Sequence, residues 1–505
     1  IGTAGTTEIS SAGGSIVAAN KNGATPLITA SSLDMQAANG IGATDAAIHA
    51  QLTMPLETAL RVLEVTAGDG IYIKLNPDTE TQPIRTDVTS VMGDVELAFG
   101  GNDMQLGLVS AGGTQDAGSR TQDVRITNVG TITGNRGEGL DIVADYLLVE
   151  SAGDVGSFDG QLSLDVNQIT ASAPNGQFAS TNVRSIRAIA NAPGVSFALE
   201  VGGPIFLEAN GPFTVDGSIY SGDTITVIAV GAITVDSGLV IEGKNDVTLY
   251  ARDTEAFSAS GFNTADSINL GGDVVIKSKL GNLTLLSGDD FVVNATDQLI
   301  TEHGRLTIGI DQGNADFGIG ASFGMDAQND TLHVPAGGSG IITAMSLYIV
   351  GEADDDVIII PDLFLPTTFE AGDGFDSVDF TLSRGSSDQT RLTNIDVDQI
   401  SFAHVPDLQP NHTWLIDTEP TARAIDLFPF ESSDPDDAYV NTVFVVLDEN
   451  RILENQHTRF DGFESIDATY TLSGANDDVT ILELRHPLLL NVEGGSDSVT
   501  VGGTR

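Results

Sequence analysis

The clearest pattern along this 505-residue chain is an alternation of large apolar residues with small or polar ones between residues 205 and 293. It runs through Ile205–Ala209, Phe213–Gly217, Ile225–Ala229, Ile233–Ser237 and Val247–Ala251. A period of two is typical of a β-strand with one buried face. Ala209 and Ala229 lie 20 residues apart, as do Val215 and Val235. Short strands that recur at a fixed spacing predict the coils of a solenoid.

The spacing predicts the fold class. We expect an all-β protein, a right-handed parallel β-helix (β-solenoid) with coils of about 20 residues. Gly211 corresponds to Gly231, and Ile219 corresponds to Leu239, one coil later. The chain's 57 glycines suit the corners of such coils, where the backbone often needs a positive φ.

The regularity of the pattern divides the chain into three parts. The pattern in residues 1–190 predicts irregular coils with lateral excursions, which are segments that leave the stack of coils. One of them is Asp45–Leu60, where Pro55 argues against a helix. Residues 191–346 predict regular coils, and residues 347–505 predict Asp- and Gly-rich coils. A non-coil insertion is expected at about 406–448, which contains Trp414 and five prolines. Gly42 and Gly156, 114 residues apart, indicate a second level of repetition above the coil.

Charge narrows the range of partners. The chain has 71 acidic and 21 basic residues, a net charge of −50, which argues against nucleic acid as a partner because phosphate binding needs an excess of Lys and Arg. There is no cysteine, so neither disulfides nor thiolate zinc sites are expected. No apolar run approaches 18 residues, so we expect no membrane-spanning segment. The chain begins with Ile1 and ends just after a strand, so we interpret it as a piece of a longer protein.

Two kinds of segment carry a resemblance to known proteins. They are the alternation Ile225-Thr-Val-Ile-Ala-Val-Gly-Ala-Ile-Thr-Val-Asp236 and the block ends Asn39-Gly-Ile-Gly42 and Gly153-Asp-Val-Gly156. Over roughly residues 1–345 the chain resembles filamentous-haemagglutinin-type adhesins and the giant acidic surface proteins of bacteria with β-helix repeats. The resemblance implies a right-handed parallel β-helix that serves as an adhesin or a cell-surface scaffold, with an extracellular or cell-surface location.

Aspartate motifs in the C-terminal part are the candidate metal site. Gly372-Asp-Gly-Phe-Asp-Ser-Val378 resembles the half-site of hemolysin-type calcium-binding repeats, whose carboxylates and loop carbonyls bind Ca²⁺. Three further copies are degenerate, and all recur at about 20 residues instead of about nine. The candidate ligands are Asp355, Asp356, Asp373, Asp376, Asp477, Asp478 and Asp497. The alternative, in which these aspartates only form turns, stays open.

Catalysis is the alternative function. Parallel β-helices host polysaccharide lyases and glycosidases, which need positioned carboxylates together with clustered Arg, Lys or His. The nearest such cluster is Glu302-His-Gly-Arg305, and the seven histidines are otherwise scattered. We therefore predict a non-enzymatic segment of a long extracellular structural protein, an adhesin or a cell-surface filament acting as a rigid acidic rod. Its expected partners are other coils of the same or neighbouring chains end to end, and cell-surface glycans or other surface proteins.

Overall fold

The computed structural model divides the chain into two units, 1–247 and 248–505, each described here by itself. Up to residue 310 the structure describes residues 5–18, 27–43, 46–53, 61–77, 82–112, 120–134, 139–190, 196–252, 266–289, 291–294 and 296–310. Beyond that it describes 331–333, 341–351 and the backbone of strands between 357 and 501. These residues form strands and turns and no helix, which confirms the predicted all-β parallel β-helix.

The first unit contains strands β1 to β22. They are β1 (Thr6–Ser11), β2 (Ile28–Ala30), β3 (Ser32–Ala37), β4 (Ile48–Leu52), β5 (Arg61–Ala67), β6 (Ile71–Leu75), β7 (Ile84–Ser90), β8 (Val95–Ala98), β9 (Met104–Ser110), β10 (Val124–Val129), β11 (Ile132–Thr133), β12 (Ile142–Ser151), β13 (Leu162–Ala173), β14 (Phe178–Asn182), β15 (Ile186–Ile189), β16 (Phe197–Val201), β17 (Ile205–Ala209), β18 (Phe213–Asp216), β19 (Ser218–Ser221), β20 (Ile225–Val230), β21 (Ile233–Val235) and β22 (Val240–Gly243).

Parallel ladders connect each coil of the first unit to the next. Up to β10 every second strand pairs, as in β1–β3–β5–β7–β9 and β2–β4–β6–β8–β10. From β14 onward every third strand pairs, as in β14–β17–β20, β15–β18–β21 and β16–β19–β22. The long strands β12 and β13 lie at the change from two ladders to three.

The register confirms the 20-residue spacing in the regular coils. Ala209 pairs with Ala229 and Val215 with Val235, each 20 residues later. Alternate residues point inward, so Ile205, Leu207 and Ala209 are at most 1% exposed. Burial of branched apolar side chains, worth about 1.5–3 kcal/mol for each Val, Ile or Leu, holds such a narrow core together.

The predicted match of Ile219 to Leu239 is wrong by two residues. Ile219 pairs with Ile241, because a turn at Ser237 and Gly238, the latter with φ +73°, lengthens that coil. Turns of variable length change the spacing without changing the direction in which the strands point.

Two short interruptions of strands, which we call spurs, begin at Gly42 and Gly156, and in the second Ser157 and Gly160 form an antiparallel bridge. Ile41 pairs with Ile71, and Ile48 pairs with Ile73. Seven residues from Ile41 to Ile48 therefore correspond to only two residues of the partner strand, so the chain leaves the ladder after Ile41 and rejoins it at Ile48. Val155 with Phe178 and Leu162 with Ser180 repeat this arrangement. The glycine after each departure, Gly42 or Gly156, has a φ near +70° (71° and 68°). The two glycines therefore share a local geometry, and the second level of repetition expected from their spacing stays a prediction.

The second unit contains strands β23 to β45. They are β23 (Val247–Arg252), β24 (Ile268–Leu270), β25 (Val275–Ser278), β26 (Leu283–Ser287), β27 (Phe291–Val292), β28 (Gln298–Thr301), β29 (Arg305–Gly309), β30 (Thr331–His333), β31 (Ile341–Thr343), β32 (Ser346–Val350), β33 (Val357–Ile360), β34 (Thr367–Glu370), β35 (Ser377–Phe380), β36 (Gln389–Asp396), β37 (Gln399–Phe402), β38 (Thr413–Thr418), β39 (Ala424–Pro429), β40 (Val443–Leu447), β41 (His457–Phe460), β42 (Ala468–Thr471), β43 (Asp478–Ile481), β44 (Leu488–Asn491) and β45 (Ser498–Val501).

Its ladders change from three per coil to two. β24–β27–β30, β25–β28–β31 and β26–β29–β32 are parallel. From β32 onward the strands pair alternately, in β32–β34–β36–β38–β40–β42–β44 and β33–β35–β37–β39–β41–β43–β45.

Two predicted departures from the coils need correction. The proposed excursion Asp45–Leu60 contains β4, which pairs with β2 and β6 as an ordinary coil strand. The proposed non-coil insertion at 406–448 contains β38, β39 and β40, all of which continue the parallel ladders. Trp414 lies in β38, and Pro429 is the last residue of β39. The other four prolines lie outside the described residues.

Candidate functional site

Most of the candidate calcium ligands lie outside the described residues. These are Asp355, Asp356, Asp373, Asp376, Asp477 and Asp497. The backbone of Asp478 is described: this residue begins β43 and pairs with His457 and Ser498. Among the described residues, no group of three or more His, Asp or Glu side chains is arranged to hold a metal ion. The calcium site stays a prediction.

Aspartates elsewhere in the chain have a clear structural role. At coil corners their carboxylates accept a hydrogen bond from a backbone N–H of the neighbouring coil. Thr131 donates to Asp103 at 2.8 Å, Gln177 to Asp154 at 3.0 Å and Val274 to Asp297 at 3.0 Å. The same contact occurs at Asp94, Asp141 and Asp289, and Asp87, in the middle of β7, accepts the N–H of Leu108 on β9 in the same way. Because an ionised acceptor strengthens a hydrogen bond, these aspartates tie successive coils together where the ladders end.

Serine and threonine hydroxyls make a second set of links between coils. The hydroxyl of Ser221, the last residue of β19, donates to the carbonyl of Gly203 at 2.7 Å and accepts the N–H of Asp223 at 3.0 Å. Thr301 does the same with Gly281 at 2.6 Å and Gly304 at 3.0 Å. Ser90 and Ser151 make corresponding bonds to the previous coil. These residues were not predicted from the sequence, although each is an inward-facing Ser or Thr one to three residues before a glycine.

A buried ionic cluster is centred on Asp165 in β13. The carboxylate of Asp165 accepts a hydrogen bond from Arg120 at 2.8 Å and another from Arg184. The Asp165 and Arg120 side chains are only 6% and 8% exposed. Asn182 on β14 bonds both the N–H and the C=O of Val166 at 3.0 Å. Because these side chains already bond one another and the backbone, they leave little capacity for substrate.

Acidic side chains also form a column on the outer face of the first unit. Glu8 pairs in register with Asp34, Asp34 with Glu64, and Glu64 with Asp87. We call these four residues the acidic column. Successive coils are about 4.8 Å apart, and like charges placed directly opposite repel each other. Arg85 pairs with Asp87 at 3.1 Å, so the negative charge of the column is concentrated on Glu8, Asp34 and Glu64.

The candidate catalytic segment Glu302–Arg305 forms a corner with two lysines. Lys277 lies 2.5 Å from the Glu302 carboxylate, and its hydrogen bond and charge lower the pKa of Glu302 below the ordinary value. A glutamate that stays ionised in this way suits an ion pair better than a general acid, which needs a raised pKa. Of the other histidines, His404, His412 and His486 lie outside the described residues.

Comparisons with protein-family models, curated proteins and solved structures find no match to this chain. Among the described residues, no helix has the length and apolar character needed to cross a bilayer.

Proposed function

We propose that the chain is a segment of a long extracellular structural protein, an adhesin or a cell-surface filament, in which stacked coils form a rigid acidic scaffold. The observation that carries the proposal is the repeated use of Asp, Ser and Thr side chains as links between one coil and the next. In an enzyme of this fold we would expect such side chains to converge on a substrate groove. Here the polar side chains of the corners are committed to holding the stack.

The acidic surface supports a location outside the cell. A net charge of −50 keeps such a scaffold soluble, and its self-repulsion is screened within about 8 Å at physiological salt. The calcium sites predicted between residues 355 and 497 belong to the same proposal, because extracellular modules bind Ca²⁺ with Kd values of about 10⁻⁴–10⁻³ M.

The proposal is tested by locating the natural protein. Antibodies raised against the chain should label intact cells of its source without permeabilisation, and added protease should remove the label. An antibody against a cytoplasmic protein of the same cells serves as the control. Labelling that requires lysis would contradict an extracellular role.

A second assay addresses the alternative, a polysaccharide lyase or glycosidase. The chain is incubated with acidic and neutral polysaccharides, and new reducing ends and unsaturated products are measured. We expect no product above a heat-denatured control. Product that disappears in a Glu302→Gln variant would favour the enzyme and contradict a purely structural role.

A further inference from the structure

A pair of aromatic rings lies at the tip of the second spur. Phe158 is 69% exposed, and its ring centre lies 5.4 Å from that of Phe206 on β17, with the two ring planes 78° apart. In this edge-to-face arrangement one ring stands on the other, so the two planes enclose a corner. We call Phe158 and Phe206 the aromatic pair. The exposure of Phe158 leaves the corner accessible to a ligand from solvent.

The backbone holds the aromatic pair in place. Ser157 and Gly160 exchange two backbone hydrogen bonds, at 3.0 and 2.9 Å, so Phe158 lies in a tight turn with a two-residue tip. Phe206 faces outward on β17, which pairs with β14 on one side and with β20 on the other. A ligand would therefore meet rings whose backbone is already fixed, which lowers the ordering cost of binding.

Two carboxylates flank the aromatic pair. Asp159 follows Phe158 at the exposed tip of the spur, and Glu208 lies two residues after Phe206 on the same outward side of β17. Neither carboxylate makes a hydrogen bond or an ion pair with any other residue that the structure describes. Both carboxylates are therefore available to a ligand held at the rings.

The arginines of the neighbouring strands are engaged with other carboxylates. Arg184, just after β14, bonds Asp165, and the guanidinium of Arg187 on β15 lies 2.5 Å from the carboxylate of Asp216. Neither arginine therefore cancels the negative charge beside the rings. Because the face of an aromatic ring is itself negative, the rings and the flanking carboxylates favour the same kind of ligand, a cation.

The kind of cation follows from the apolar rings. An ammonium such as that of lysine is compact and strongly hydrated, so its removal from water is costly. A quaternary ammonium carries its charge beneath apolar methyl groups, which can contact the ring faces while the carboxylates balance the charge. Two rings offer too little apolar area for a stable protein–protein interface, which buries about 1,200–2,000 Å². A small quaternary ammonium ligand therefore suits the site best.

We propose that the aromatic pair, together with Asp159 and Glu208, binds a quaternary ammonium group such as that of choline. The group can come from free choline or from a choline head group on a membrane surface. The proposal adds a ligand to the chain, and it depends neither on the location of the protein nor on the scaffold role proposed above.

The test is a ligand-detected NMR titration of the full chain with choline, and with the neutral alcohol of the same shape in which carbon replaces the charged nitrogen. Four proteins are compared: the wild type, F158L, D159N/E208Q and the control D34N/E64Q. F158L keeps an apolar side chain but removes the aromatic face, whereas the control removes two carboxylates from the acidic column. Circular dichroism and thermal melts establish that each variant is folded.

We expect the wild type to bind choline saturably, with a Kd of about 10 mM or below, and to bind the neutral alcohol at least about tenfold more weakly. F158L and D159N/E208Q should each weaken choline binding by at least about threefold, and the control should match the wild type. Flotation with phosphatidylcholine vesicles distinguishes the two sources of the group. Choline binding accompanied by capture of the wild type but not of F158L identifies a membrane head group, and choline binding without capture identifies a soluble ligand; both support the proposal.

Four results would overturn the proposal. They are choline binding that does not saturate, equal binding of the neutral alcohol, an F158L or D159N/E208Q variant that binds choline as tightly as the wild type, and a control that loses as much affinity as D159N/E208Q. The last result would show that the acidic surface in general attracts choline and that the aromatic pair plays no special part.

Discussion

At the scale of single residues, the polar side chains inside this chain are placed where a ladder ends and a turn begins. Ser90, Ser221 and Thr301 are each at most 1% exposed, yet each hydroxyl both donates and accepts within the corner. A buried polar group without a partner would cost about 1–3 kcal/mol. The corner hydroxyls therefore stabilise the stack only because two coils supply their partners.

Ser221→Ala should show the value of one such link. The variant removes the acceptor of the Asp223 N–H and the donor to Gly203, so we expect the free energy of unfolding to fall by about 1–2 kcal/mol. Ser172→Ala, an outward-facing serine on β13, is the matched control. Urea denaturation gives the stability, and hydrogen exchange should show faster exchange at the Asp223 amide. Equal effects of the two substitutions would contradict the role given to Ser221.

A pH-dependent contribution is expected from Asp123. Burial, and then the neighbouring carboxylate of Asp94, raise the pKa of Asp123 above its ordinary 3.8; Asp145 acts in the same direction, and Arg125 opposes the shift. A carboxyl group with a raised folded-state pKa contributes stability that is complete below the unfolded-state pKa and is lost as pH rises through the folded-state value.

Asp123→Asn should therefore weaken the fall in stability between about pH 4 and pH 7. At neutral pH we expect a gain of at most about 0.5 kcal/mol, since solvent screens this half-buried group. Urea denaturation across that pH range measures both effects, with Asp159→Asn on the exposed second spur as the control. A variant that is less stable than the wild type at pH 7 would show that ionised Asp123, through its bond to Arg125, stabilises the fold.

At the scale of elements, strands were easier to predict than the segments between them. The alternation of apolar and other residues in Ile205–Ala209 indicates which side chains point inward. A strand that covers a buried core needs an apolar residue at every second position, so this pattern can be recognised in the sequence. The pairing of Ile219 with Ile241 could not be read in the same way, because a turn can gain two residues without disturbing either strand. The prolines at 406–448 misled the prediction, because the described strands β38, β39 and β40 of that segment keep their parallel partners and Pro429 itself ends β39.

The spurs depend on glycine at their base. Gly156 has a φ of +68°, and an added Cβ would overlap the backbone oxygen of Ala179. We expect Gly156→Ala to lower the free energy of unfolding by about 2 kcal/mol or more, from the left-handed backbone and the overlap together. Gly13→Ala is the control, because a Cβ there would meet no atom within 4 Å. Thermal melts compare the two variants, and similar losses would show that the spur tolerates a side chain at its base.

At the scale of the whole chain, acidic residues serve different purposes in different places. Some carboxylates accept backbone hydrogen bonds between coils, as at Asp103 and Asp297. Others stack in register on the outside, as in the acidic column, of which Asp87 does both because it also accepts the N–H of Leu108. The sequence alone could not separate these roles, because an Asp near a Gly fits a corner, a cation site or an exposed face equally well. The role of each aspartate depends on which backbone group of the neighbouring coil lies beside its carboxylate, and the lengths of the turns determine which group that is.

Calcium should distinguish the C-terminal aspartates from the others. Asp373 and Asp376 lie in the motif Gly372–Val378, which fits the calcium-binding half-site most closely. Asp477 and Asp497 are 20 residues apart in the sequence, and the residues that follow them, Asp478 and Ser498, pair between adjacent strands. Carboxylates brought together in this way repel each other unless a cation binds. With a Kd near 1 mM, several millimolar Ca²⁺ would stabilise each site by about 1 kcal/mol.

The experiment is a hydrogen-exchange measurement on the full chain with chelator and with several millimolar Ca²⁺, alongside Asp376→Ala and Asp497→Ala. We expect Ca²⁺ to slow exchange within residues 347–505 and to leave residues 1–345 unchanged, because the corner aspartates described there already accept backbone hydrogen bonds. Magnesium at the same concentration is the control for ionic strength, since it prefers a tighter octahedral site. Exchange that is indifferent to Ca²⁺ in the wild type would reduce the C-terminal aspartates to the turn-forming role that their counterparts have elsewhere in the chain.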